Sequence, residues 1–185
     1  MASAARNGTA SPAQEFERVV DALQAPLGRF VAQMIPDRAL AEDVLQETFC
    51  VAWRQRARMP ADAGDQRGWF YGVARNQALH ALRKQRRGRR AVDALAAQPP
   101  PDRRPKAEPW AMRDFVAGVL GPQDRSLFLL RYVHEFSAPE LADMTGLRPA
   151  TIRKRLERSA TALRAAIADP TLLQKGAPHG HAFTA

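Results

Sequence analysis

The chain has 185 residues, enough for one domain or two small ones, and carries 28 Lys+Arg against 19 Asp+Glu for a formal net charge of +9. Arg greatly outnumbers Lys, which suits phosphate and base edges because the guanidinium fork donates two parallel hydrogen bonds. The single cysteine, Cys50, excludes an intrachain disulfide and a cysteine-based zinc site, and no run approaches the roughly 20 apolar residues that span a bilayer.

Residues 1–13 are small and polar, lack the apolar core of a signal peptide, and are expected to be disordered; a cytoplasmic location fits. Phe16, Val19, Val20, Leu23, Leu27, Phe30, Val31 and Met34 then recur at helical spacing. Pro26 interrupts them, so either the helix kinks or a second one starts there. Asp37 is a plausible N-cap for a helix over 38–57 with Leu40, Val44, Leu45, Phe49, Ala52 and Trp53 facing inward and Cys50 in the core. On that helix Asp43, Gln46, Glu47 and Arg54 share another side. After the loop MPADAGDQRG, a helix over 67–87 carries Trp69, Phe70, Val73, Ala74, Leu79 and Leu82. It ends in the basic run Arg83, Lys84, Arg86, Arg87, Arg89 and Arg90.

Residues 91–109 hold five prolines and read as an extended linker. Beyond it, Met112, Phe115, Val116, Val119 and Leu120 form an amphipathic helix that Gly121-Pro122 breaks. Leu127, Phe128, Leu130, Tyr132 and Val133 form the next. Ser137 and Glu140 have capping-box spacing, Gly146 marks a tight turn, and a last helix runs from Pro149 to Ala168. The tail 169–185 is expected to be loosely ordered. No strand pattern appears, so the fold class is all-α: two small helical domains, 14–90 and 110–168, joined by a Pro-rich linker.

The segment 137–164 has a helix-turn-helix layout. Ile152, Leu156, Ala160 and Leu163 point inward. Arg153, Lys154, Glu157 and Arg158 face outward, flanked by Thr151 and Arg155. Such a helix contacts phosphates and can pair Arg with guanine. Upstream, RGWFYGVARN sets aromatics beside the basic run, the combination that unpaired bases need, since they stack on rings. Trp69 and Phe70 also suit plain core packing, and Tyr71 less so. From spacing alone, the acidic stripe Asp43, Gln46, Glu47 is an ordinary solvated face. Nothing near it supplies a nucleophile, a metal-binding histidine or a phosphate loop, so no catalytic, metal or cofactor site is expected. A stand-alone repressor or activator with a dimerising bundle, or a pure interaction protein, would share some of these features; two nucleic-acid surfaces in one chain argue against both.

In this order and at these distances, the motifs resemble bacterial sigma factors of the extracytoplasmic-function group, over about residues 16–167. AEDVLQETFCVAWR (41–54) looks like the segment that grips the β′ clamp helices of RNA polymerase, which implies Asp43, Gln46, Glu47, Phe49 and Arg54 as polymerase contacts. RGWFYGVARNQALHALRKQRR (67–87) looks like the segment that melts and reads the −10 promoter element, implying Arg67, Trp69, Tyr71, Arg75, Asn76, His80, Arg83 and Lys84. Asn76 matches a position that contacts a flipped-out base, and the loop 56–66 corresponds to the rest of that pocket. The stretch 121–164 resembles the sigma-4 domain, which reads the −35 element, implying Thr151, Arg153, Lys154, Arg155, Glu157 and Arg158. The resemblance implies core polymerase (β′ clamp helices and β flap), promoter DNA and an anti-sigma factor, often membrane-bound, as partners. It implies no enzyme activity, no small-molecule substrate, no cofactor and a monomer when free. Three positions depart from the pattern. His80 stands where Asp is common, Arg148 replaces the usual Ser or Thr cap, and Glu157 puts negative charge on the DNA side.

Overall fold

The computed structural model describes residues 11–95 and 111–169. The described residues form seven α-helices and one 3-10 turn, without strands. The expectations for 1–10, for most of the linker and for the tail beyond 169 lie outside the described residues.

Helix α1 (Pro12–Met34) opens with a capping box: the Gln14 N–H donates to the Ser11 hydroxyl at 3.2 Å, and the Ser11 N–H donates to Gln14 Oε1 at 2.9 Å. Pro26 does not end it. A helix-interior proline costs about 3 kcal/mol, yet beyond it Leu27, Phe30, Val31 and Met34 are fully buried, at roughly 1.5–3 kcal/mol each. Burial wins, and the helix runs through.

Helix α2 (Arg38–Arg54) starts where Asp37 Oδ1 accepts from the Leu40 N–H at 3.1 Å. Ala41, Val44, Thr48 and Ala52 turn inward, and the buried Thr48 hydroxyl donates to the Val44 carbonyl at 2.7 Å. This register corrects two expectations. Cys50 is exposed, because it falls between Thr48 and Ala52 on the turn facing away. Trp53 is partly exposed, edge-on to Phe16 at 5.1 Å with the Arg56 guanidinium 4.1 Å from its ring centre. After the 3-10 turn Arg56–Arg58, Asp62 Oδ1 accepts from Gly64 and Asp65 N–H groups at 2.8 and 3.3 Å. Helix α3 therefore begins at Ala63, earlier than the hydrophobic spacing suggests, and continues to Leu95 into the segment read as linker.

Helices α4 (Ala111–Val119), α5 (Pro122–Tyr132), α6 (Ala138–Thr145) and α7 (Pro149–Ala168) form the second unit. Ser137 and Glu140 make the anticipated capping box, with bonds of 2.7 and 3.3 Å. Gly146 ends α6 at φ 71°, a left-handed conformation that glycine adopts without Cβ strain. Tyr132 and Val133, read as inward, are exposed at the end of α5, and Leu129 is buried in their stead.

The two units do not behave as beads on a string. One core runs through both: Phe30 and Tyr71 from the first meet Leu127, Leu130, Phe136, Leu141 and Ile152 from the second, all at most 1% exposed. Gly72 allows the approach of α6 to α3, since a Cβ there would sit 3.1 Å from Met144 Cγ. A smaller cluster of Val116, Leu120 and Leu163 holds α4 on α7.

Arg148 occupies the N-cap of α7 and supplies no side-chain cap. Arg148→Ser is expected to raise stability by about 1 kcal/mol in urea denaturation; an unchanged midpoint would mean that α7 gains nothing from a cap.

Candidate nucleic-acid interface

On the outer face of α2, Asp43, Gln46 and Glu47 are all exposed. Glu47 accepts from Arg54 at 2.7 Å, and Glu42 from Arg38 at 2.8 Å. Such exposed pairs hold the local geometry but contribute only about 0–1 kcal/mol each. Asp43 makes no ion pair among the described residues. Beside this face, α1 and α2 enclose an open groove of about 460 Å³, with Phe16, Val20, Leu45 and Phe49 on its floor and Glu17, Asp21 and Glu42 on its rim. The five α2 residues singled out from sequence thus share one accessible side, with Phe49 half-buried at its edge.

The eight α3 residues divide into two sets. Asn76, His80, Arg83 and Lys84 are exposed, at steps of four, three and one that keep them on one face, and Trp69 is half-buried, edge-on to Phe70 at 5.1 Å. Arg67, Tyr71 and Arg75 recur every four residues on another face, the one covered by the second unit. Tyr71, expected to be available for stacking, is 1% exposed, and Arg75 is 8% exposed. Phe70 is core as expected, but the order of the other two rings is reversed: Tyr71 is core, and Trp69 is the more accessible ring.

A polar seam surrounds Tyr71. Its hydroxyl donates to His134 Nδ1 at 2.9 Å, and His134 Nε2 donates to Gln33 Oε1 at 3.3 Å. Burial, reinforced by the Arg67 and Arg29 charges, pushes the His134 pKa down to about 4, so the ring is neutral and this tautomer suits both partners. Burial likewise raises the Tyr71 pKa. Arg67 donates to the His134 carbonyl, with its guanidinium 4.1 Å from the Phe136 ring centre. Arg75 Nε donates to Ser126 Oγ at 2.9 Å, and the Ser126 hydroxyl in turn donates to the Gln123 carbonyl at 2.6 Å. In the opposite direction Arg125 of α5 donates to the Met34 carbonyl at the end of α1, at 2.6 Å, where the helix dipole favours a cation. Burial lowers the pKa of both Arg75 and Arg125. Gln33, Arg125, Ser126 and His134 were not singled out from sequence.

On α7, Thr151, Arg153, Lys154, Glu157 and Arg158 are exposed, while Ile152, Leu156, Ser159 and Leu163 are buried. Arg155 is set apart: its Nε lies 3.3 Å from Asp124 Oδ1 and its Nη2 donates to Gln123 Oε1 at 3.3 Å, so α5 holds it. The arrangement presents a solvent-facing basic helix of the kind that enters a major groove, preceded by the α6–Gly146 turn.

Two family models match the chain: sigma-70 region 2 over residues 19–88 and sigma-70 region 4 over residues 118–163. The RNA polymerase sigma factor CarQ of Myxococcus xanthus is 32% identical over 142 residues, 73% of this chain and 79% of CarQ. The chain belongs to the sigma-70 family of RNA polymerase sigma factors. The ECF RNA polymerase sigma factor SigL of Mycobacterium tuberculosis is 28% identical over 84% of this sigma factor and 90% of SigL. By contrast, the chain spans only 40% of the probable RNA polymerase sigma factor RfaY of Xanthomonas campestris, at 30% identity. Among solved structures, the sigma factor RpoE in complex with the anti-sigma factor NepR from Bartonella quintana shares the fold, with a TM-score of 0.65 over 84% of this chain and 98% of that one at 20% identity. The regions matched place α2 and most of α3 in region 2, and α5–α6 with most of α7 in region 4.

The neutral, buried His134 sets a pH dependence. Its folded pKa lies below the ordinary 6.5, so as pH falls from about 6.5 toward 4 the unfolded chain takes up the proton first and stability is lost. The urea midpoint should therefore fall more steeply across that window in the native chain than in His134→Gln. Parallel loss in both would contradict the assignment.

Proposed function

We propose that this chain is an alternative sigma factor of the extracytoplasmic-function group: it binds core RNA polymerase and directs initiation at its own promoters, without catalysing a reaction itself. The observation that carries the reading is the presence, in one chain matched by both sigma-70 regions, of two separate outward basic helical faces, on α3 and α7.

In this reading the acidic face Asp43, Gln46, Glu47 with Phe49 and Arg54 docks on the β′ clamp helices, and the sigma-4 unit reaches the β flap. Helix α7 enters the −35 major groove. Arg153, Lys154 and Arg158 neutralise phosphates and offer guanine contacts worth roughly 1–3 kcal/mol each. Glu157 on the same face repels phosphate and suits a cytosine amino group, so the −35 sequence it prefers is its own. Trp69, Asn76, His80, Arg83 and Lys84 receive the unpaired −10 strand. Flipping a base out costs a few kcal/mol, which contacts to Asn76 and the 56–66 loop offset. Among the described residues no helix is long and apolar enough to cross a membrane; a cytoplasmic protein, restrained by an anti-sigma factor, follows from this reading.

Two sets of variants test it. Asp43→Arg combined with Glu47→Arg should weaken core-polymerase binding at least about ten-fold with an unchanged melting temperature, because both side chains are exposed. Normal polymerase affinity would remove α2 as the docking face. Arg153→Ala and Lys154→Ala should each weaken promoter binding and flatten its salt dependence, by a slope of about one per lost phosphate contact. An unchanged footprint would count against α7.

A further inference from the structure

The family resemblance puts Arg155 among the −35 contacts, and the fold ties it to α5 instead. On α7 it stands three residues after Ile152 and four before Ser159, both buried, at the border of the inward stripe. It is half-buried, where Arg153, Lys154 and Arg158 are exposed. Two of its donors are taken by the first turn of α5: Nε lies 3.3 Å from Asp124 Oδ1, and Nη2 donates to Gln123 Oε1 at 3.3 Å. After burial, the Arg155 charge is the next cause that lowers the pKa of Arg75 on α3, so the guanidinium lies on the protein side of α7.

The other partner is held as closely. Asp124 Oδ1 is buried and accepts no hydrogen bond among the described residues, so the Arg155 charge is what faces it. A buried carboxylate oxygen is costly to leave without a cation. Withdrawing Arg155 to reach a phosphate would incur that cost. Arg153, Lys154 and Arg158 make no ion pair among the described residues and turn to DNA from water.

The pair also links two elements. The Arg18–Glu15, Arg38–Glu42 and Arg54–Glu47 pairs each lie within one helix. Arg155–Asp124 joins α7 to α5. Side chains on a helix turn together, so a rotation of α7 about its axis carries its whole outward set. Base edges demand donors in register, whereas phosphates fix position without carrying sequence information.

We propose that Asp124 is a specificity-determining residue of the −35 site: through Arg155 it fixes the rotation of α7, so that Arg153, Lys154 and Glu157 meet base edges while Arg155 touches no DNA. Both members of the pair are positioning residues. This rests on the reading of α7 as the −35 helix.

The test uses Asp124→Asn, Arg155→Met and the double variant, each bound to core RNA polymerase. Each holoenzyme is titrated, over a range of salt, onto a promoter fragment that the native holoenzyme uses and onto the same fragment with its −35 half scrambled. Every variant should lose about ten-fold in affinity for the intact fragment, keep its affinity for the scrambled one, and show an unchanged salt slope. The double variant should lose no more than either single one, since all three break one contact. Removing a negative charge favours DNA by simple electrostatics, so a loss on Asp124→Asn has the sign that only positioning gives. Asp124→Glu keeps the charge and should keep the discrimination. Lys154→Ala is the control for a phosphate contact and flattens the slope by about one on both fragments. The same flattening with Arg155→Met would overturn the proposal, because Arg155 would then bind phosphate. Tighter binding by Asp124→Asn, or single losses that multiply in the double variant, would overturn it as well. Equal loss on both fragments, whether from a misfolded chain or a merely structural tie, would remove the specificity role, and so would a loss with Asp124→Glu as large as with Asp124→Asn. In each of these cases the α7 reading stands. A native holoenzyme that binds both fragments alike would bring down the α7 reading and the proposal with it.

Discussion

Tyr71 is the contact on which the rest of the molecule depends. Its ring lies 5.6 Å from Phe30 and 5.0 Å from Phe136, and its hydroxyl satisfies a buried histidine. Aromatic packing of this kind contributes through area, and a hydrogen bond at each polar tip removes the desolvation cost that would otherwise cancel it. Around this residue α1, α3 and the α5–α6 connection share one core. Small helical units of 60–80 residues bury a modest fraction of their surface alone, so a shared core stabilises both.

The same packing sorts the charged residues. Arg75 on the seam face of α3 and Arg125 on the inner side of α5 are buried, Arg67 is half-buried, and all three are tied to backbone or hydroxyl oxygens. Cations one or two helical steps away remain free in water. Four-residue spacing thus separates Arg67, Tyr71 and Arg75 from Asn76, His80, Arg83 and Lys84 on a single rod. On α7, Asp124 and Gln123 withdraw Arg155 from the outward set and leave Arg153, Lys154 and Arg158. Function and stability therefore draw on adjacent stripes of the same two helices.

What was legible in the sequence was mostly local. The Asp37 cap, the Ser137–Glu140 box, the Gly146 turn and the span Pro149–Ala168 depend on residues within one turn of each other, and they stand where spacing put them. The α2 and α7 surface residues were legible because each helix buries one clear apolar stripe. Cys50 and Trp53 were misplaced by the register of α2, whose inward stripe is Ala41, Val44, Thr48 and Ala52; Tyr71 and Arg75 were misplaced because their environment is set by residues far away in the chain. His134 meets Tyr71 across 63 positions, and Arg125 meets Met34 across 91. Periodicity within a helix cannot report which apolar stripe will be shared between units, and a five-proline linker suggested that none would be.

The most direct test of the account adds the purified protein to bacterial core RNA polymerase with fragmented genomic DNA of its source, and sequences the 5′ ends of the transcripts. The account predicts discrete protein-dependent starts that share two upstream motifs, near −35 and −10. A folded protein that produces no such starts, yet binds a two-fold symmetric operator tightly without polymerase, would contradict it.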